Sequence, residues 1–253
     1  MEGTVYTPGA GHSPPVLAGR EDLVNEWQLT LNGLVAQGRV AARDMLLTGP
    51  RGVGKTSLLT AYGKAAREHH FEVVHLQAAQ HHVSLVESLA GQARARVEKG
   101  ESVWRKAQGA LTRLSGLSVG VAGVSVGINT SDADSPRPGP VHDPGELARA
   151  LDAVADAVRQ DRGGGGVLVT VDELQAAHPS DLTLIAAALH RLNVDHPTSP
   201  VAFAASGLPH TIDVLTNAGV THPDRLFVLE HIPLTLTRTQ TELAIASPPS
   251  STT

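Results

Sequence analysis

Gly49-Pro50-Arg51-Gly52-Val53-Gly54-Lys55-Thr56 is the stretch on which the reading of this sequence turns. It fits G-x-x-x-x-G-K-[ST] without a mismatch, the pattern of a phosphate-binding P-loop. Each residue type has a physical task. The glycines let backbone N–H groups turn inward as a nest for an anion, and a helix starting near Lys55 points its positive dipole end at the same place. Lys55 adds a mobile charge for the β- and γ-phosphates, and the Thr56 hydroxyl is a ligand for Mg²⁺. Ser57 extends the nucleotide-binding set formed by the eight residues before it. A glycine-rich turn without a ligand could show the same letters, but not the same flanks. Here Met45-Leu46-Leu47 reads as a strand before the loop, and Leu58, Leu59, Tyr62 and Ala66 form one helical stripe after it.

A second apolar run, Val167-Leu168-Val169-Thr170-Val171, is of the kind that parallel sheets bury on both faces, and it ends in Asp172 and Glu173. Sheets of α/β type bind ligands at the carboxyl ends of their strands. Asp172 is thereby placed to hold Mg²⁺ through water, and Glu173 to orient and deprotonate an attacking water. Alone, such a run is an ordinary strand end; beside an intact P-loop it reads as the second half of a phosphoryl-transfer site. Further strands are expected over 71–76, 201–205 and 226–229. A helix from Gly19 carries Leu23, Trp27, Leu31 and Leu34, and another runs over 83–99. Asp143-Pro144-Gly145-Glu146 marks a helix start with a capping aspartate, a proline at the first position and a glutamate closing a capping box. Leu147, Leu151, Val154 and Val158 follow as its stripe, and 182–192 reads as one more helix. The alternation predicts an α/β fold, a three-layer αβα arrangement around a mainly parallel five-stranded sheet.

Composition narrows the function classes. The 253 residues hold 20 basic and 25 acidic side chains for a net charge of −5, so any contact with a polyanion must be local. The one local excess lies at Arg94, Arg96, Lys99, Arg105, Lys106 and Arg113, against Glu98 and Glu101. A solvated helix face is the first reading of it, and a DNA or protein partner the second. The absence of cysteine excludes a disulfide scaffold and thiolate metal sites, and suits a reducing, cytoplasmic setting. Histidine pairs at His69-His70 and His81-His82 lack the H-E-x-x-H spacing, so no metal beyond Mg²⁺ is expected. No N-K-x-D guanine reader occurs, which favours ATP over GTP.

Residues 1–18, rich in glycine and proline, read as an extended leader with no signal-peptide pattern. The uncharged stretch 114–131 has small-residue spacings at Gly116/Gly120 and Gly123/Gly127, yet it is too polar to span a bilayer, and no membrane partner is expected. Its alternation instead predicts a hairpin over 117–128, pairing Val121 with Val124, Val119 with Val126 and Leu117 with Ile128 across Ala122-Gly123.

The run Pro14-Pro15-Val16-Leu17-Ala18-Gly19-Arg20-Glu21, then GPRGVGKTSLL, VTVDELQ, AASGLP (204–209) and DRLF (224–227), resembles the AAA+ ATPases of the P-loop NTPase class. It is most similar to bacterial ATP-binding proteins of the origin-recognition-like and STAND type. The resemblance spans about 14–248 with a gap in the middle, and it implies Mg-ATP as ligand. By it, Val16 and Leu17 line the adenine pocket, and Ser206 senses the γ-phosphate where a plain turn residue is the alternative. Arg225 falls where the family often keeps an arginine finger serving a neighbouring subunit of a homo-oligomer; a surface arginine is the competing account.

Two departures stand out. Lys55 and Asp172 lie 117 positions apart, so about 100–142, hairpin included, reads as an insertion. The family's helical lid is represented only by 236–246 ahead of the tail, an incomplete lid without its second sensor arginine. The expected division is a leader over 1–18, an ATPase domain over 19–235 and a lid start with tail over 236–253. The expected function is an ATP-binding module that hydrolyses Mg-ATP slowly to drive or time a conformational change. The alternative is a nucleotide-gated switch that recruits a protein or DNA partner with little hydrolysis.

Overall fold

The computed structural model describes residues 17, 19–37, 44–78, 84–114 and 143–235. Its frame is a sheet of β1 (Asp44–Thr48), β2 (Glu72–Gln77), β3 (Val167–Asp172), β4 (Val201–Gly207) and β5 (Val228–His231). They lie in the order β2-β3-β4-β1-β5, and every pairing is parallel. Every residue of β1, β3 and β4 is buried, as their unbroken apolar runs require of strands covered on both faces.

Alternation along each strand divides the core in two. Met45, Leu47, Val73, Leu168, Ala202 and Ala204 pack on one face with Trp27, Leu31, Leu34, Leu58, Leu59 and Tyr62. Those partners come from α1 (Glu21–Gln37) and α2 (Lys55–Glu68). Leu46, Val74, Val169, Val171, Phe203 and Ala205 point to the opposite face. That face is covered by α3 (Leu85–Glu98), α4 (Ser102–Lys106), α5 (Gln108–Leu114), α6 (Pro144–Arg162) and α7 (Pro179–Asp195), with α8 (Thr211–Asn217) and α9 (Pro223–Leu226) beyond them. The result is the expected three-layer α/β architecture.

Helix starts follow local chemistry. Asp143 accepts from the Gly145 N–H at 2.7 Å with Pro144 in the first turn of α6, and Ser84 accepts from Val86 and Glu87 at the head of α3. α7 begins earlier than the expected 182, because His178 caps it ahead of Pro179. The last strand is corrected from 226–229 to Val228–His231. Pro223 opens a helical turn there, which carries Arg225 and Leu226 before the chain can extend. The hairpin over 117–128, the leader apart from Leu17 and the lid helix over 236–246 lie outside the described residues. Among the described residues no helix is long and apolar enough to cross a membrane.

Leu46 is fully buried in the central layer, whereas Leu29 on α1 is 71% exposed. Leu46→Ala is expected to lower unfolding free energy by about 2–5 kcal/mol and Leu29→Ala by less than about 0.5 kcal/mol. Urea titration of the two variants checks the contrast.

Candidate functional site

The glycine-rich loop leaves the sheet pinned on both sides. The Ile232 N–H donates to Thr48 O at 2.7 Å, and the Gly49 N–H donates to Gly207 O at 3.3 Å. A Cβ on Gly49 would lie 2.7 Å from the Ile232 carbonyl oxygen, so only glycine fits this crossing. Gly52 and Gly54 take φ of +82° and +91°, the left-handed region in which glycine carries no steric penalty. Gly54 precedes α2 without a side-chain cap, so the first-turn N–H groups of that helix are left for a ligand. The Lys55 ammonium is buried and donates to Gly49 O at 3.0 Å and Pro50 O at 2.8 Å. Burial pulls it below the ordinary lysine range, Glu173 and Asp172 oppose that shift, and Arg51 reinforces it.

β4 stands between β1 and β3, so the loop and Asp172 start two strand spacings apart, about 10 Å. The first turn of α2 closes the gap: Thr56 Oγ1 donates to Asp172 Oδ2 at 2.7 Å. The other oxygen, Oδ1, accepts from the Ser206 hydroxyl at the end of β4 and from the Glu173 N–H at 3.1 Å. Asp172 is only 5% exposed, and these donors satisfy it. A hydroxyl and a carboxylate side by side are hard oxygen donors of the kind Mg²⁺ takes together with phosphate and water. Among the described residues no cluster of three or more histidine and acidic side chains offers another metal site.

Glu173 has φ 56° and ψ 45°, a left-handed conformation uncommon for a side chain of this type. It ends β3 abruptly and starts a 3₁₀ turn over Leu174–Ala176. The turn brings in residues that the motif reading did not single out as functional. Gln175 Nε2 donates to Glu173 Oε2, while Gln175 Oε1 accepts from the Leu208 N–H at 3.1 Å. Gly207 makes room for this: a Cβ there would lie 2.2 Å from Thr211 Oγ1 and 2.9 Å from Gln175 Oε1. Gln175 stood in the quoted run VTVDELQ, but nothing in the spacing told it from a turn residue.

The remaining sequence-derived residues separate. Leu17 is half-buried in a turn closed by the Arg20 N–H, and the Arg20 guanidinium reaches Pro233 O at 3.2 Å, just past β5. Val16 lies outside the described residues. Arg225 precedes β5, whose pairing with β1 runs from Met45↔Val228 to Thr48↔His231, so it lies at the sheet edge opposite the loop of its own chain. There it lines a groove of about 600 Å³ with Thr183, His190, Asn193 and His222. In the basic segment, Arg96 pairs with Glu72 and lies over the Trp104 ring, and Lys106 pairs with Asp161 at 3.0 Å. Arg94, Lys99 and Arg105 are exposed.

A family model described as an AAA ATPase domain matches residues 16–203. No curated protein sequence matches the chain. Among solved structures, the Aeropyrum pernix ORC2 protein in ADPNP-ADP complexes is similar with a TM-score of 0.53 and 14% identity, over 94% of this chain and 53% of that one. Cdc6p from Pyrobaculum aerophilum gives 0.54 and 14%, over 97% of this chain and 52% of the other. At these identities the likeness is one of fold, and the chain spans about half the length of either structure.

Because Gly207 leaves no room for a methyl group, Gly207→Ala is expected to lower stability by about 1–3 kcal/mol. Parent-like melting of that variant would show that Thr211 and Gln175 give way at no cost.

Proposed function

The chain belongs to the AAA ATPase domain family, and from that premise we propose that it binds Mg-ATP on residues 49–57 and hydrolyses it slowly to drive or time a conformational change. The observation that carries this reading is the contact of Thr56 with Asp172, which puts the phosphate loop and the acidic strand end into one site. Triphosphate gives the Lys55 ammonium an anionic partner in place of two neutral carbonyls, and the loop and first-turn N–H groups surround the same oxygens. Bound Mg²⁺, held by Thr56 and through water by Asp172, supplies positive charge to the phosphate oxygens.

Glu173 orients a water and takes one of its protons while the water oxygen bonds to the γ-phosphorus. The bond from that phosphorus to the bridging oxygen breaks, ADP leaves with the electron pair, and Glu173 returns the proton to solvent. Ser206, donating to Asp172, connects the end of β4 to this centre. Arg225 acts only on the site of a second copy, so the placement favours a homo-oligomer for full turnover. Residues 19–235 form the ATPase unit, at work in the cytoplasm, and Leu17 borders the base. A second reading, a nucleotide-gated switch with little hydrolysis that presents Arg94, Lys99 and Arg105 to a protein or DNA, draws on the distance of Arg225 from its own site.

Lys55→Ala removes the charge on the β- and γ-phosphates and is expected to weaken ATP binding roughly 10- to 100-fold, read by titration with a fluorescent analogue. The parent's affinity should also fall as pH rises past the depressed lysine value, because the free protein then loses the ammonium proton. Lys55→Ala should lack that alkaline limb. Glu173→Gln keeps shape and hydrogen bonding but cannot take a proton, so it should bind ATP as the parent does and lose about 10²- to 10⁴-fold in turnover. Phosphate release equal to the parent's would remove Glu173 from the reaction.

A further inference from the structure

We propose that Gln175 is a positioning residue whose amide holds the Glu173 carboxylate and fastens it to the loop after β4, so that the base and Ser206 respond to nucleotide as one unit. The inference rests on the hydrolytic role proposed for Glu173.

The two ends of the amide leave no ambiguity about its direction. A carboxylate only accepts and a backbone N–H only donates, so the NH₂ must face Glu173 Oε2 and the carbonyl must face Leu208 N. The turned-over amide would set oxygen against carboxylate and hydrogen against hydrogen. Thr211 Oγ1 also lies 3.4 Å from Gln175 Oε1, but its single proton is directed to Leu208 O at 2.6 Å. The Leu208 N–H is therefore the partner that orients Gln175.

Three features show that this bridge is built into the packing. Glu173 adopts its left-handed conformation, which places Gln175 only two residues on, in the turn that doubles back beside its carboxylate. Gly207 is the residue whose missing side chain lets Gln175 reach the loop. Thr211 is fully buried behind it and anchors the first turn of α8. Ser206 meanwhile contacts both Asp172 Oδ1 and, at 3.4 Å, the Glu173 N–H. The backbone of Glu173 is thus tied to Ser206 and its side chain to Leu208, two residues further along the same loop. A displacement of Ser206 by the γ-phosphate cannot leave the Glu173 carboxylate where it was. One carboxylate oxygen, Oε2, is engaged by Gln175, and proton abstraction needs only the other.

The test uses the full chain with Gln175→Ala, Gln175→Glu and Glu173→Gln. Gln175→Ala is expected to bind ATP within about threefold of the parent and to lose roughly 10- to 100-fold in kcat, the scale of a misplaced catalytic group. Gln175→Glu keeps the acceptor for Leu208 but sets a second carboxylate against Glu173. It should lower kcat at least as far as Gln175→Ala while ATP affinity and KM stay within about threefold of the parent, because two like charges at contact repel and a displaced base acts only on the chemical step. A merely structural role would lower the melting temperature and weaken ATP binding together with kcat. If Gln175→Ala does not fold, kcat against KM in Gln175→Glu decides alone. Parent kcat in the folded Gln175 variants, alongside an inactive Glu173→Gln, would overturn the proposal while leaving the hydrolytic reading intact. Parent turnover in Glu173→Gln would instead overturn the reading beneath it.

Discussion

A carboxylate taken almost wholly out of water has to be given donors, and the arrangement around Asp172 is the answer to that demand. Its two oxygens accept from the Thr56 hydroxyl on α2, the Ser206 hydroxyl on β4 and the N–H that follows β3. Two elements that lie 116 and 34 residues away along the chain are thereby fixed around the end of β3. Without it, the phosphate loop and the acidic strand end would be neighbours two strands apart with nothing between them but the edge of β4. The proposed Mg²⁺ role draws on the same lone pairs and the same threonine, so an ion held there would rearrange this cluster and not simply add to it.

The sheet supplies the rigidity that such a cluster needs. The phosphate loop hangs between two hydrogen bonds, one from Ile232 to Thr48 and one from Gly49 to Gly207, each made to a different neighbouring strand. Gly207 accepts the second bond and also admits Gln175 on its other side. One residue at the end of β4 therefore meets both the loop that would grip phosphate and the turn that carries the proposed base. Behind it, Thr211 and Leu215 seat α8 against the core, which ties the loop after β4 to the layer of helices below.

What could be read in the sequence was what repeats or what chemistry restricts. The strands at 44–48, 167–172 and 201–207 showed as apolar runs because both their faces are covered, and α1, α2 and α6 showed through stripes long enough to establish a period. Lys55, Thr56, Asp172 and Glu173 were legible because a nest of glycines and a pair of acids at a strand end are restricted in type and place. α8, α9 and the 3₁₀ turn were not, since three to seven residues are too few for a helical period and their seats are set by contacts distant in sequence. The shift of β5 came from Pro223, whose preference for a first helical turn outweighed the apolar run after it. Gln175 was in view as a letter but not as a contact, because its partners Glu173 and Leu208 meet only once the sheet brings β3 and β4 side by side.

Glu173 holds a backbone shape that a glycine, or an asparagine, would adopt with less strain, at a cost of roughly 1 kcal/mol or more. Evolution under a demand for folding alone would therefore drift away from glutamate at this position. A library ranked by heat resistance or by resistance to proteolysis, with no nucleotide present, should enrich smaller residues at 173 while leaving most of the sheet untouched. Persistence of the acid would then record an opposing demand from chemistry. The place where the chain gives up stability is written in its dihedral angles, and a screen blind to catalysis could find it.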